Sequence, residues 1–478
     1  RIALLFDLTK MANEQQQAFD KLAQMQTPNG GFAWFPGMPD NQYITQHIVA
    51  GFGHLEKLNV IDIKNKSKLD AMLEKAVQYL DNRLQEDFES LKKYDKDYLN
   101  NKHLSYNEIH ALYARSFFNN NKISKINKDA HDYFMQQAKK YWNDQSLYSK
   151  AMLALILDRN NEHAIALKVI ESLKQNAINN DELGMYWKAN ETAGWYWYQA
   201  PVETQALLIE AFHEVANDKK SVDEMKVWLL KQKQTTSWKS TKATAEACYA
   251  LLLQGKDWIK SDKLVTVNMN KKEINPQTLN AMVEPGTGYY KVNWNTNEIQ
   301  QEMGKIELIK TDNGPAYGAM YWQYFEDLDK ISGATTALQL TKNLFKEVNT
   351  NEGKKLIQIN DNTPLQVGDV VKVRMELRTD RNLEYVHLKD LRAAGFEPIN
   401  VLSQYKYQDG LGYYESTKDV ATHFFMDWMQ KGIYVFEYEM RATIAGNFSN
   451  GITSIESMYA PEFKSHSKGE RVAIVKQK

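Results

Sequence analysis

Glycoside hydrolysis needs two carboxyl groups held across a cleft about 5 to 10 Å apart, one to protonate the leaving group and one to attack or to activate water. Asp40, Glu108, Asp181, Glu182, Glu191 and Glu203 stand near loops or helix starts and are the candidates for that work. With 60 acidic residues in a chain of 478, such a set arises by composition alone, and no spacing pairs any two of its members. Glu203, beside Thr204 at a helix start, reads as a negative charge on the positive end of a helix. Metal ligation has less to offer, because the sequence contains no H-E-x-x-H and no Cys/His cluster. His47 and His54 are seven residues apart, on one helix face but about two turns distant, and His103 and His110 repeat the spacing. All four are expected at core edges or on the surface. The single cysteine, Cys248 in "AEACYALL", falls on a small-residue helix face and is expected to be a buried, inert thiol. "GTG" at 286–288 leads into a strand and so builds no phosphate cradle. "NFS" at Asn447 fits a glycosylation triplet, a pattern frequent by chance.

The elements that would position these residues change period once along the chain. From Arg1 to about Trp258 the apolar spacing is helical. "LDAMLEKAVQYLDNRL" sets Leu69, Met72, Leu73, Ala76, Val77 and Leu80 on one stripe. Comparable stripes near 1–10, 13–26, 44–59, 106–118, 131–142, 148–157, 161–176, 201–215, 221–232 and 243–254 predict about eleven helices and no strand. Several begin after an aromatic or glycine-rich turn: "YITQHIVAGF" after "GGFAWFPG", "VETQALLIEAF" after "GWYWYQAP", "KATAEACYALL" after "SWKST". Small, apolar helices alternate with helices carrying Lys, Glu and Gln on one face, a repeat of roughly 40 to 60 residues that predicts stacked helical hairpins. Six inner helices, residues 1–10 among them, and five outer ones would make an α/α toroid lacking one helix upstream of Arg1.

Beyond about Lys260 the period is two. "KLVTVNMN", "VVKVRMELR", "ATHFFMDWM" and "IYVFEYEM" alternate apolar and polar residues, and "GAMYWQYFED" is most simply a further strand. Turn signals such as "EPGTG", "QVGD" and "YQDGLG" separate them. The fold class expected is therefore multidomain, α then β: a toroid over 1–258, a small β domain over 259–333 and a β-sandwich over 334–478.

In a hairpin toroid the loops before the inner helices gather at one mouth. Phe32, Trp34 and Phe35 lie in one such loop, shaped by Gly30, Gly31, Pro36 and Pro39, and Trp187, Trp195, Trp197 and Trp238 lie in equivalent ones. They either cap the toroid core or form a stacking platform for a sugar or peptide. A net charge of −1 without a basic run argues against nucleic acid, and no apolar run approaches the roughly 18 residues of a membrane span. One cysteine excludes an intrachain disulfide. Nothing in the residues calls for a metal or a cofactor.

The segments "NGGFAWFPG…ITQHIVAGFGHL", "WYQAPVETQALLIEAF", "SWKSTKATAEACYALL" and the run "LEYVHLKDLRAAGFEPIN…YQDGLGYYES…GIYVFEYEMRATIAGNFSNGI…MYAPEF" resemble the C-terminal part of the alpha-2-macroglobulin family, over nearly the whole chain. The last run resembles bacterial members of the Bacteroides type. The resemblance implies a thioester-domain-like toroid, a CUB-like β domain and a macroglobulin-type sandwich. It implies a scaffold fragment of a broad-spectrum endopeptidase inhibitor that entraps proteases through upstream domains, not an enzyme, at the cell envelope or periplasm. An envelope or glycan partner for the fragment stays open, as does a lipoprotein anchor outside it. The family's thioester joins a Cys to a Gln three residues on. Here Leu251 stands three after Cys248 and no Cys-x-x-Gln exists. The tetrad belongs upstream of the "NGGFAWFPG" loop, so either it precedes Arg1 or the protein lacks it; helices already supplied by 1–26 favour its lack. The alternatives to this reading are a toroid glycoside hydrolase or polysaccharide lyase, and a glycan- or protein-binding module.

Overall fold

The computed structural model describes residues 2–61, 63–191, 201–253, 264–284, 288–311, 316–360 and 363–476. Two compact units result, one of residues 1–229 and 239–316, the other of 230–238 and 317–478.

The first unit is built on helices α1 (Ile2–Met25), α2 (Gln42–Lys57), α3 (Ile63–Tyr94), α4 (Tyr106–Ser116), α5 (Lys128–Tyr141), α6 (Leu147–Arg159), α7 (His163–Gln175), α8 (Lys188–Glu191), α9 (Pro201–Ala216), α10 (Lys219–Thr235), of which residues 230–235 are assigned to the second unit, and α11 (Thr241–Leu252). Among the described residues α2, α4, α6, α9 and α11 are the inner helices, each packed on the next, and His54 of α2 closes the ring by stacking on Tyr249 of α11 at 3.8 Å. Composition explains the division. In α6 every residue from Ala151 to Leu157 is buried, as an all-round apolar helix must be. In α5 only Ala130, Tyr133, Phe134, Met135, Gln137 and Ala138 are buried, and the charged face is left outside. The expected count of inner helices is corrected here. The stripes near 1–10 and 13–26 fall in one continuous helix, Ile2–Met25, because "KMANEQQQ" contains no breaker to separate them. Two short ladders also interrupt the helical half: β1 (Phe32–Ala33) pairs with β2 (Asp40–Asn41), and β3 (Ile178–Asn180) with β4 (Gly184–Tyr186).

Caps set the inner helices' starts. Asn41, Ser105, Ser146 and Ser240 each accept from a backbone N–H in the first turn of α2, α4, α6 and α11. Gly30, at φ 93°, lets the preceding loop lie against α3, where a Cβ would come 2.3 Å from the Lys75 carbonyl oxygen. The unit continues into a three-stranded sheet of β5 (Thr266–Met269), β6 (Lys272–Glu273) and β7 (Ile306–Ile309).

The second unit holds β8 (Leu338–Thr350), β9 (Gly353–Gln358), β10 (Leu365–Gln366), β11 (Val370–Thr379), β12 (Leu383–Leu391), β13 (Phe396–Pro398), β14 (Gln404–Gln408), β15 (Leu411–Thr417), β16 (Ala421–Met429), β17 (Gly432–Ala442), β18 (Gly446–Asn450), β19 (Thr453–Ser457), β20 (Ala460–His466) and β21 (Glu470–Val475). They form sheets of order β13-β17-β11-β8-β9, β14-β15-β16-β12-β19-β20 and β10-β21-β18. Strict alternation buries Val371, Val373, Met375 and Leu377 of β11 against Phe424 and Met426 of β16 and Phe436 and Met440 of β17. One ion pair ties the two larger sheets: Lys342 Nζ of β8 donates to Asp390 Oδ1 of β12 at 2.6 Å, and both side chains are buried. Tyr438 and Thr453 donate to the same carboxylate, and the ammonium also reaches the carbonyls of Leu391 and Gly451, so every polar atom of the pair is satisfied. "GAMYWQYFED" is not a strand. Its residues pair with no ladder, and Phe325, Tyr324 and Trp322 are exposed. Alternating aromatics give a period of two, but a strand also needs a neighbour to bond.

Candidate functional site

A cluster of ionisable groups of the first unit converges inside the helical ring. Its deepest member is Glu210, in the middle of "ETQALLIEAF" on α9, with a side chain 1% exposed. Each remaining inner helix sends a partner. Tyr113 of α4 donates to Glu210 Oε2 at 2.5 Å, Tyr249 of α11 to Oε1 at 3.0 Å, and Arg159 at the end of α6 to Oε1 at 2.7 Å. From α2, His54 Nε2 lies 2.9 Å from the Tyr113 hydroxyl and 3.7 Å from Glu210. Arg159 also clamps Glu214 with Nε and a terminal nitrogen at 2.8 and 2.7 Å, and Lys57 pairs with the same carboxylate. Glu246 of α11 completes the layer 3.7 Å from His54 Nδ1.

Burial alone would push Glu210 up, but the Arg159 charge, with His54 and Lys57, outweighs it and holds the carboxyl well below the usual range. Burial, with Glu210 beside them, raises the phenols of Tyr113 and Tyr249. The chemical consequence is restrictive. Both Glu210 oxygens are occupied by donors from neighbouring helices, so the group is neither a protonated acid nor a free base. The network is a tie between five helices.

A second layer lies toward the helix N-termini. Burial, then the Lys242 charge, takes His47 down to about 4, and burial with His47 nearby lowers His110. The Tyr43 and Tyr106 rings pack on His110 at centroid distances of 5.5 Å, tilted by 46° and 37°. Burial raises Glu203 and lowers Lys242. These histidines are neutral and aromatic-packed, and among the described residues no group of three His, Cys, Asp or Glu could hold a metal.

The sequence candidates scatter. Glu203 is buried at the start of α9, with the Ser240 hydroxyl 3.4 Å away. Asp40 accepts from Tyr79, Arg83 and Asn29 and is lowered to about 2, the Tyr79 hydrogen bond foremost, which pins the loop before α2. Glu108 is the reciprocal half of the capping box of α4. Asp181 and Glu182 lie in the exposed turn between β3 and β4, and of Glu191 only its backbone place at the end of α8 is described. Among the aromatics, Phe32 and Trp187 are buried; Trp187 donates to the Leu173 carbonyl and packs edge-on to Phe212. Trp34 and Phe35 are exposed, at 46% and 63%. Trp238 is half-buried and belongs to the second unit, and Trp195 and Trp197 lie outside the described residues. His103 pairs with Asp95 at 2.8 Å.

Two expectations are overturned. Cys248 is exposed: Ala243, Ala247, Tyr249 and Ala250 form the buried face of α11, and position 248 falls outside it. His54 and His110 are buried in the ring interior instead of lying at a core edge or on the surface, while His47 is half-buried, as a core-edge residue is. The groups that sequence reasoning missed, Tyr113, Arg159, Glu210, Glu214 and Tyr249, carried one signal. Glu210 interrupts the apolar run from Ala206 to Phe212, and a buried charge requires partners.

With this geometry in hand, the comparisons with known proteins are specific. Residues 338–462, most of the second unit, match the sequence model of the bacterial alpha-2-macroglobulin MG10 domain. The chain is 22% identical over 474 residues to an alpha-2-macroglobulin homolog of Nostoc sp., covering 94% of this chain and 23% of that protein. Among solved structures it is similar to Salmonella alpha-2-macroglobulin reacted with methylamine, at 14% identity and a TM-score of 0.35 over 95% of this chain and 27% of that one. It is also similar to trypsin-activated alpha-2-macroglobulin from Escherichia coli, at 13% identity and a TM-score of 0.40 over 96% and 29%. An α-then-β chain with a macroglobulin-type sandwich is the class that fold and sequence define together. Residues 338–462 match a domain of the bacterial alpha-2-macroglobulin family, and nearly the whole chain is similar to a homolog of that family. It spans about a quarter of the length of the relatives it matches.

Proposed function

We propose that this chain is the C-terminal scaffold of a larger macroglobulin-like inhibitor that entraps endopeptidases. It is not an enzyme: residues 1–258 act as a thioester-domain-like toroid, 259–333 as a CUB-like β domain and 334–478 as the terminal sandwich. The observation that carries the reading is the MG10 match within a chain whose deeply buried helical carboxylate, Glu210, is fully engaged as a tie between helices. A catalytic carboxyl needs a free oxygen facing substrate.

The capture is non-covalent in this reading, since α1, which lies upstream of the "NGGFAWFPG" loop, already supplies helix without a Cys-x-x-Gln. Proteases meet the protein through domains outside this chain, in the periplasm or elsewhere in the cell envelope. Trypsin and porcine elastase, which activate the E. coli relative, are the natural probes. The full-length protein is mixed with labelled trypsin and run on native and then on denaturing gels. Co-migration on the first and release on the second is expected. Absence of co-migration overturns entrapment, and an adduct that survives denaturation overturns the thioester-free reading.

A further inference from the structure

We propose that the outer face of the second unit's six-stranded sheet carries a site for a quaternary ammonium group, set around Gly412 of β15. Alternation turns Leu411 and Tyr413 of β15, and Phe424 and Met426 of β16, into the core. Gly412, Tyr414, Phe425 and Asp427 therefore lie on the opposite face. The register sets Tyr405 and Tyr407 of β14 opposite Tyr414 and Gly412, and Phe425 of β16 opposite Tyr414 from the other side. The same register carried two residues further brings Asp427 beside Gly412. One side chain is thus missing from a row across three strands, between Tyr407 and Asp427. The backbone does not ask for a glycine there. Its φ lies outside the left-handed region, and a Cβ would meet only a Tyr407 ring carbon at 3.8 Å, an ordinary contact. A strand glycine that the fold does not need marks a place where another group comes close to the backbone.

The gap is part of a groove of about 320 Å³, at the small end of ligand clefts, whose lining includes Tyr405, Tyr414, Phe425 and Asp427. Tyr405 and Tyr414 meet at 58° with centroids 4.8 Å apart, two walls and not a stack, and Tyr405 is 81% exposed. Phe425 rests on His387 at 4.6 Å and 2°, which holds its ring. Charge selects the occupant. Aromatic faces carry negative potential. Among the described residues Asp427 is the only carboxylate in the lining, and no lysine or arginine joins it. Lys406 of β14 turns to the other side of the sheet, where it pairs with Glu415 at 2.7 Å. A cation with an apolar surface fits this combination: its methyl groups pack on the rings and its charge faces Asp427. A primary ammonium holds its water more strongly, and a neutral sugar leaves the carboxylate's charge unanswered.

The test is calorimetric titration of the whole chain with choline and with its neutral isostere 3,3-dimethylbutan-1-ol. One equivalent of choline bound with Kd below about 1 mM is expected, with the isostere roughly tenfold weaker. Gly412→Leu fills the floor with a side chain that the strand accepts and should abolish binding, and circular dichroism confirms that the variant is folded. Tyr405→Ala and Asp427→Asn, both at exposed positions, should each weaken choline binding roughly tenfold. A Kd for choline above about 1 mM, equal affinity for the isostere, or full affinity in Gly412→Leu overturns the assignment. Binding of N-acetylglucosamine in place of choline, lost in Tyr405→Ala and kept in Asp427→Asn, overturns it in favour of a sugar platform.

Discussion

Replacing Glu210 by Ala removes the one group that receives a donor from three other inner helices. The variant leaves Arg159, 7% exposed, with only Glu214 as counter-charge, and leaves the Tyr113 and Tyr249 hydroxyls without their acceptor. Truncating one member of a buried ion pair costs about 3–5 kcal/mol, because the remaining charge stays buried. For a unit of this size each kcal/mol moves Tm by roughly 2–4 °C, so Tm should fall by roughly 6–20 °C. Differential scanning calorimetry of the whole chain reads the shift. Glu210→Gln, which keeps the shape and loses the charge, should lie between wild type and Glu210→Ala. The double variant Glu210→Ala with Arg159→Ala should lose less than the sum of the singles, because the second change removes the stranded charge. A shift under 1 °C for Glu210→Ala, or strict additivity in the double variant, would refute the idea that the ring is tied through this carboxylate.

Three further outcomes are expected. His47 is held down to about 4 from an ordinary 6.5, so it gains a proton on unfolding between those values. A depressed folded pKa contributes stability that is full above pH 6.5 and is lost as pH falls toward 4, by up to about 3 kcal/mol at that site. His47→Phe should flatten the Tm–pH curve of the first unit in that window, as read by calorimetry. Lys342→Met strands the buried Asp390 carboxylate and should lower the second unit's transition by about 3–5 kcal/mol while leaving the first unit's unchanged. Cys248 is exposed, so a thiol reagent should titrate it in the native protein without a denaturant lag.

The elements were largely legible in the sequence, for a physical reason. Helix α6 is apolar on every side and β11 alternates without exception, so burial and period coincide there. The aromatic and glycine-rich turns marked several of the inner helices' starts. What misled was local evidence without its neighbours. "GAMYWQYFED" has the period of a strand but no ladder to join, and the helical signal on either side of Met11 concealed one uninterrupted helix. The network around Glu210 was invisible because its members come from five helices and stand up to 195 residues apart, His54 to Tyr249. Periodicity reports which face of a helix is buried and says nothing about which helices share a centre. The carboxylate candidates failed in the same way: Asp40, Glu108 and Glu203 were legible as polar residues near helix starts, and the structure spends each on a cap or an anchor.

The central claim is that the chain is scaffold in a protease trap and performs no chemistry of its own. The full-length protein is incubated with excess over trypsin, and residual cleavage of a large protein substrate and of a small chromogenic peptide is measured in parallel. The account predicts loss of cleavage of the large substrate with the peptide still hydrolysed at nearly the uninhibited rate. Unchanged cleavage of both, or equal loss of both, would contradict it.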